Sequence, residues 1–157
     1  MKLKSPRESM VEMTELVLPN DTNLLGNLLG GRLMHLVDVA GAMAAQRHSN
    51  RIVVTAAIDS VEFKHPVKQG QIITLKSRVT WVGRTSMEVV VEVFSEDFLT
   101  GERKLTNRAY LTFVAVDSNS KPVEVCGLLL ETEEERKEYE KASKRCCQRL
   151  KRKEQNS

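Results

Sequence analysis

Apolar and polar positions alternate with two different periods along this chain, and the change of period divides it into elements. Over residues 10–18 (MVEMTELVL), Val11, Met13 and Val17 recur at about every second position, which predicts a first strand. Pro19-Asn20-Asp21 breaks it, and a stretch rich in Gly and Asn runs from Asn23 to Gly31. The period then lengthens: Leu33, Leu36, Val37, Ala40, Met43 and Ala44 fall on one stripe of a helix. Burying that stripe contributes on the order of 10 kcal/mol before the loss of conformational entropy is subtracted. The adjacent face carries Met34, Asp38, Gly41, Ala42 and Ala45, small apart from Met34 and with one carboxylate in its middle. Such a face leaves room for a ligand or a partner subunit. The helix is expected to end near Arg47-His48-Ser49-Asn50, where cationic groups suit the negative end of its dipole.

From Val53 to Val116 the period is two. Ile73, Leu75, Val79 and Trp81 alternate with polar residues, as do Met87, Val89, Val91 and Val93, and then Leu105, Ala109, Leu111, Phe113 and Ala115. Val82-Gly83-Arg84-Thr85 supplies a tight hairpin turn, and Thr100-Gly101 lies in the next one. Residues 53–63 alternate poorly, with Ile58 and Val61 on opposite faces, so a bulge is expected near Asp59-Ser60. Pro66 and Gly70 close that strand. The order is strand, helix, then four strands in meander-like succession. An antiparallel sheet wrapped around a long apolar helix, the α+β hotdog architecture, satisfies that order. A single such sheet leaves edges exposed, and pairing two sheets edge to edge predicts a dimer. From Glu131 the sequence turns strongly charged. Thr132 with Glu135 has capping-box spacing, and acidic residues precede basic ones, which predicts one exposed helix that frays near its end.

With 157 residues the chain fits one domain, expected over 8–125, followed by a charged helix and tail over 126–157. A net charge of +3 and an aromatic content of 4% argue against a nucleic-acid partner. The three cysteines, Cys126, Cys146 and Cys147, are odd in number and two are adjacent, which suits a reducing compartment better than a disulfide framework. The first ten residues have no apolar core of a secretory signal, and no stretch approaches the length of a membrane span. The expected location is the cytoplasm.

Candidate chemistry concentrates between Asn23 and Asp38. Gly30 and Gly31 stand just before the helix, whose first backbone N–H groups have no partners within it and can polarise a carbonyl or hold an oxyanion. Asp38 lies in an otherwise apolar helix, where a carboxylate is costly unless it is paired or borders water. It is a candidate general base or nucleophile. Asn23 can orient a water or a carbonyl through its amide, or serve only as a turn residue. His35, His48 and His65 have no second His or Cys at ligand spacing, so no metal site is expected. The paired glycines are followed by Arg32-Leu33 and lack the Lys and Ser/Thr of a phosphate loop.

As a set, these residues resemble a known family. Pro19-Asn20-Asp21-Thr22-Asn23, Gly26-Asn27, Gly30-Gly31, Met34 and Asp38 are similar to the signature of hotdog acyl-CoA thioesterases, of the bacterial YciA type and the cytosolic acyl-CoA hydrolases. The likeness continues in Val61-Glu62-Phe63, Pro66-Val67, Gly70, Val82 to Ser86, and Asn107 to Phe113, and covers roughly residues 10–125. It implies hydrolysis of acyl-CoA to a fatty acid and coenzyme A. It further implies that Asn23 and Asp38 are a catalytic pair from opposite subunits, with the helix start at Gly31 polarising the thioester carbonyl. No metal or separate cofactor is implied, and the implied assembly is a hexamer, a trimer of dimers. Leu29 departs from the pattern, since many relatives have an aromatic residue there.

Coenzyme A carries phosphates, so cationic and hydroxyl groups are sought for it. Arg84 on the Gly83 hairpin comes first, with Thr85 and Ser86; Arg108 and Lys64 follow, and Gly30 completes the approach to the helix. Val61 and Phe63 are candidates to flank the pantetheine arm. The basic tail residues Lys144, Arg145, Arg149, Lys151, Arg152 and Lys153 are a further phosphate candidate on a neighbouring subunit, or simply complement the helix dipole. Two other readings remain beside hydrolysis. A hotdog dehydratase uses a His with an acid, and no His lies on the loop before the Asp38 helix. A non-catalytic acyl-CoA sensor would not need both Asn23 and Asp38.

Overall fold

The computed structural model describes residues 2–63 and 65–155, and over 60–63 the backbone alone. A short helix α1 (Pro6–Ser9) precedes strand β1 (Val11–Leu16), and a 3-10 turn at Pro19–Asp21 leads through the Gly- and Asn-rich loop into helix α2 (Gly30–Ser49). Strands β2 (Ile52–Phe63), β3 (Ile72–Val82), β4 (Ser86–Glu96) and β5 (Arg103–Val116) follow, then helix α3 (Glu133–Gln155). The five strands form one antiparallel sheet in the order β1-β3-β4-β5-β2.

The meander expected for four strands holds for β3, β4 and β5 only. β2 crosses to the far edge and pairs with β5, so β1 and β2 run parallel on opposite edges. Parallel strands need a crossover, and α2 supplies it by lying across the whole inner face of the sheet. Leu33, Leu36, Val37, Ala40 and Ala44 are buried against Leu75, Val79, Val89, Val91, Leu111 and Phe113 in one core. Ser77 Oγ donates to the Ala40 carbonyl at 2.8 Å, pinning the middle of the helix to β3. Gly41 belongs to this contact. A Cβ there would meet two carbons of the Phe113 ring at 3.1 Å, so glycine permits the close approach. Gly41 and Ala45 are therefore core residues rather than part of an open small-residue face, and only Ala42 of the three is half-buried. The bulge expected near Asp59-Ser60 falls between Asp59 and Glu62, and a second one lies between Thr55 and Ala57.

At the end of α2, Asn50 adopts the left-handed conformation (φ 56°) and its N–H closes on the Gln46 carbonyl. His48 is not the dipole-complementing cation expected there. It is fully buried, with Nε2 2.9 Å from the Cys126 carbonyl oxygen, and burial holds its pKa below the ordinary histidine value.

The charged C-terminal helix is not a free solvated rod either. Its capping box forms, with the Glu135 N–H on Thr132 Oγ1 at 3.1 Å and Glu135 Oε1 accepting from the Thr132 N–H at 3.2 Å. From there α3 lies on the outer face of the sheet, with Ala142 fully buried. Arg145 grips Glu88 of β4 at 2.6 Å while its guanidinium stacks 3.8 Å from the centre of the Tyr110 ring. Arg149 pairs with Asp59 at 2.6 Å, and Arg78 bridges Glu138 of the helix to Glu92 of the sheet. Two cations of the expected basic tail are thus committed to the sheet. Lys144, Lys151, Arg152 and Lys153 remain exposed.

Two outcomes follow for stability. Glu88 is only 2% exposed, so Arg145→Ala leaves a buried carboxylate without its guanidinium and lowers the unfolding free energy in urea titration by about 3 kcal/mol. In the unfolded chain His48 titrates near 6.5, above its value in the fold. As the pH falls, the unfolded state therefore takes up this proton first. The contribution of His48 is complete above about pH 6.5 and declines below it. His48→Gln flattens the decline of the thermal midpoint below about pH 6.5.

Candidate active site

The amino end of α2 is formed by residues that cannot cap it. Leu29 occupies the cap position without a side-chain hydrogen bond, and the Leu33 N–H is bonded to the Leu29 carbonyl at 3.0 Å. The N–H groups of Gly30, Gly31 and Arg32 ahead of it lie in the unpaired first turn of the helix. A Cβ added at Gly30 or Gly31 would meet nothing within 4 Å, so no contact inside the protomer demands glycine at either position. What the two glycines leave open is access to the helix end. Gly30 also borders a cavity of about 330 Å³ that runs between Asn27 and Leu28 of the loop, Leu33 of the helix, and Pro66 and Val67.

Asn23 starts the loop that leads to this end. Its Oδ1 accepts from the N–H groups of Leu25 (2.9 Å) and Asn27 (3.1 Å), and its own N–H reaches the Asn27 carbonyl at 2.8 Å. The oxygen is thereby committed to shaping the loop, and the exposed amide NH2 is the group left to donate. The loop is fastened to the β2–β3 connection by Leu28 N–H to Val67 O (2.7 Å) and Gln69 N–H to Gly26 O (2.9 Å). Arg32 pairs with Asp21 at 3.3 Å at its other side.

Asp38 stands two turns further along α2, roughly 10 Å from Gly31 at 1.5 Å per residue. It is partly buried, and its Oδ1 accepts from Thr55 Oγ1 at 2.7 Å. Thr55 is the site residue that sequence reading missed. It sits at the unpredicted bulge of β2, on an edge strand, and nothing in the linear pattern pairs position 55 with position 38. Around it that edge is exposed and apolar, with Ile52 60%, Val54 48% and Ile58 40% accessible. Each protomer therefore presents its carboxylate beside the open edge of a partly apolar strand. No described hydrogen bond joins Asn23 to Asp38 within the protomer.

The other candidates are scattered. Gly83 is accounted for by Trp81, whose ring carbon would lie 2.7 Å from an added Cβ, and its N–H closes the hairpin on Ser86 O at 2.8 Å. Arg84 projects from that hairpin, 79% exposed, with Glu124 4.0 Å away. Thr85 and Ser86 are partly buried beside it, and the strand register sets Ser86 opposite Val114, the residue after the partner of Thr55. Arg108 lies on the outer face, paired with Glu92 at 2.8 Å, and that pairing raises its pKa; against the effect of burial, Arg78 and then Arg108 hold the Glu92 carboxyl below its ordinary value. Lys64 and the side chains of Val61 and Phe63 lie outside the described residues. Among the described residues, no group of three or more His, Cys, Asp or Glu is placed to hold a metal ion. None of the described helices is long and apolar enough to cross a membrane.

Comparison with known proteins gives this arrangement a family. Residues 25–101 match the model of the thioesterase superfamily. An acyl-CoA thioester hydrolase of Bacillus subtilis is 47% identical over 147 residues, covering 94% of this chain and 86% of that protein. An acetyl-coenzyme A thioesterase of mouse is 36% identical over 148 residues, of which the chain covers 91% here and 27% there. Among solved structures, an apo hexameric acyl-CoA thioesterase superposes with a TM-score of 0.93 at 45% identity, covering 97% of each chain. An acyl-CoA hydrolase of Staphylococcus aureus, solved with butyryl coenzyme A and coenzyme A, superposes with a TM-score of 0.91 at 37% identity over 99% of this chain and 94% of that one. This chain belongs to the hotdog-fold acyl-CoA thioesterase family. Forms of the Staphylococcus enzyme with alanine in place of an asparagine, an aspartate and a threonine have also been solved. Those three stand in the same order and at the same intervals as Asn23, Asp38 and Thr55 here.

If Thr55 fixes the carboxylate, Thr55→Val removes the hydroxyl at nearly constant volume and lets Asp38 rotate. Turnover of acyl-CoA falls by up to about a hundredfold with little change in KM, read by steady-state kinetics.

Proposed function

We propose that this protein hydrolyses acyl-CoA thioesters to a free carboxylic acid and coenzyme A, in sites shared between two copies of the chain. The observation that carries the reading is the carboxylate of Asp38, held by Thr55 at 2.7 Å on the flank of a buried helix and beside an open strand edge. The thioester carbonyl oxygen rests on N–H groups at Gly30 and Gly31, where charge develops as the tetrahedral intermediate forms. Asp38 either takes a proton from a water held by the Asn23 amide or attacks the carbonyl carbon itself to give a mixed anhydride that water then opens. By either route the carbon–sulfur bond breaks, water supplies the hydroxyl of the acid, and the thiolate of coenzyme A takes up the remaining proton. The residue beside Asp38 is a threonine and not the histidine of a dehydratase, which favours hydrolysis over elimination.

The copy that completes the site docks along β2. Pairing two β2 edges antiparallel covers Ile52, Val54 and Ile58 and satisfies the free backbone groups of both strands. It brings Asp38 of one protomer towards the Asn23 loop of the other. Three such dimers make a hexamer, the assembly named for one of the relatives. Arg84, exposed and in a long, 4.0 Å pair with the exposed Glu124, meets the phosphates of coenzyme A, whereas Arg108 is engaged by Glu92 at 2.8 Å. The reducing cytoplasm suits the three free thiols.

Incubation with acyl-CoA and a thiol reagent tests the reading. Free coenzyme A is released by the native protein, and Asp38→Asn cuts kcat by about a hundredfold or more while circular dichroism stays unchanged. A native protein that binds acyl-CoA without releasing coenzyme A is a sensor, and full activity in Asp38→Asn removes this residue from the chemistry.

A further inference from the structure

The cavity beside Gly30 takes no part in the steps above. Leu33 and Val67 are buried in its walls, and Leu28 is partly buried. Asn27, His65 and Asn107 also line it, and among the described residues no Lys, Arg, Asp or Glu does, so it lacks the cluster of fixed cations that the phosphates of coenzyme A require. At about 330 Å³ it lies at the lower end of small-molecule pockets and takes only part of an acyl-CoA. One wall is the helix end on which the proposed carbonyl rests, so a group entering the cavity is attached directly to that carbonyl. On one side of a thioester carbonyl stands the sulfur with its amide-bearing pantetheine arm, and on the other the acyl chain. The lining is mostly apolar, with Leu28, Leu33, Pro66 and Val67 beside the polar Asn27, His65 and Asn107, and the apolar part matches the aliphatic one.

Resting on the thioesterase reading, we infer that this cavity is the acyl pocket, that it selects uncharged aliphatic acyl groups, and that Leu28 and Leu33 set how long a chain it accepts. An acyl group with a terminal carboxylate would bury a charge that meets no Lys or Arg among the described lining residues, only the amides of Asn27 and Asn107 and the imidazole of His65. Leu28 lies at the loop side and Leu33 on the helix side, so a larger group at 28 shortens the space and a smaller one at 33 extends it.

The test compares native protein, Leu28→Trp and Leu33→Val on acetyl-, butyryl-, succinyl-, octanoyl- and decanoyl-CoA. Each methylene in a well-fitted pocket is worth about tenfold or more in kcat/KM. The ratio of kcat/KM for octanoyl- over acetyl-CoA accordingly falls by at least about tenfold in Leu28→Trp and rises in Leu33→Val, and succinyl-CoA is a poorer substrate than butyryl-CoA throughout. Binding of the non-hydrolysable thioethers S-octyl-CoA and S-ethyl-CoA, measured calorimetrically, gives the same ordering whether or not a variant turns over. Unchanged ratios in both kinetics and thioether binding overturn the acyl pocket. Release of no coenzyme A by native protein, with thioether selectivity still shifted by Leu28→Trp, sinks hydrolysis and leaves the pocket standing.

Discussion

The arrangement of groups in this protein depends on how close α2 lies to the sheet. Gly41 sets that distance, because any larger residue would press on the Phe113 ring. With the helix seated on β5 and pinned to β3 through Ser77, its first turn opens at one end of the sheet beside Pro66 and Val67. Asp38, one turn before Gly41, then comes within hydrogen-bond reach of the edge strand β2. The same packing that buries Leu36, Val37 and Ala40 thus aims the carboxylate sideways, out of the core and towards β2, the strand whose outer edge is unpaired. Core and site are consequences of one helix orientation.

The two faces of the sheet are covered by different physics. Inside, apolar side chains and small helix residues pack without charge. Outside, α3 is held largely by guanidinium–carboxylate pairs, including the nearly buried Glu88 with Arg145 stacked over Tyr110. Such pairs offset their own desolvation only when geometry and additional hydrogen bonds are good, and Glu88 has both Arg145 and Thr80 on its oxygens. The cost of breaking one member therefore exceeds the benefit of having built the pair.

Much of this was legible in the sequence because periodicity reports burial on one face. The alternation in β3, β4 and β5 and the stripe on α2 located the core, and the paired glycines marked the helix start. The strand order was harder, since the position of β2 depends on a crossover that leaves no local trace in residues 52–63. Thr55 was invisible for the same reason: its role comes from a register with Phe113 that only the folded sheet creates. The tail misled because a row of Lys and Arg reads as solvated, whereas Arg145 and Arg149 reach carboxylates on β4 and β2 that are distant in sequence. Likewise His48 reads as a helix-end cation until Cys126 is folded over it.

The functional unit proposed for this protein is two chains, each lending one half of the site. Mixing Asn23→Ala with Asp38→Ala, after dissociation and reassembly, tests it most directly. An isologous interface gives hybrid dimers with one intact and one doubly deficient site, so random pairing of two inactive parents restores about a quarter of native activity. A mixture that exchanges subunits and yet stays as inactive as its parents would place both residues in a single chain and rule out the shared site.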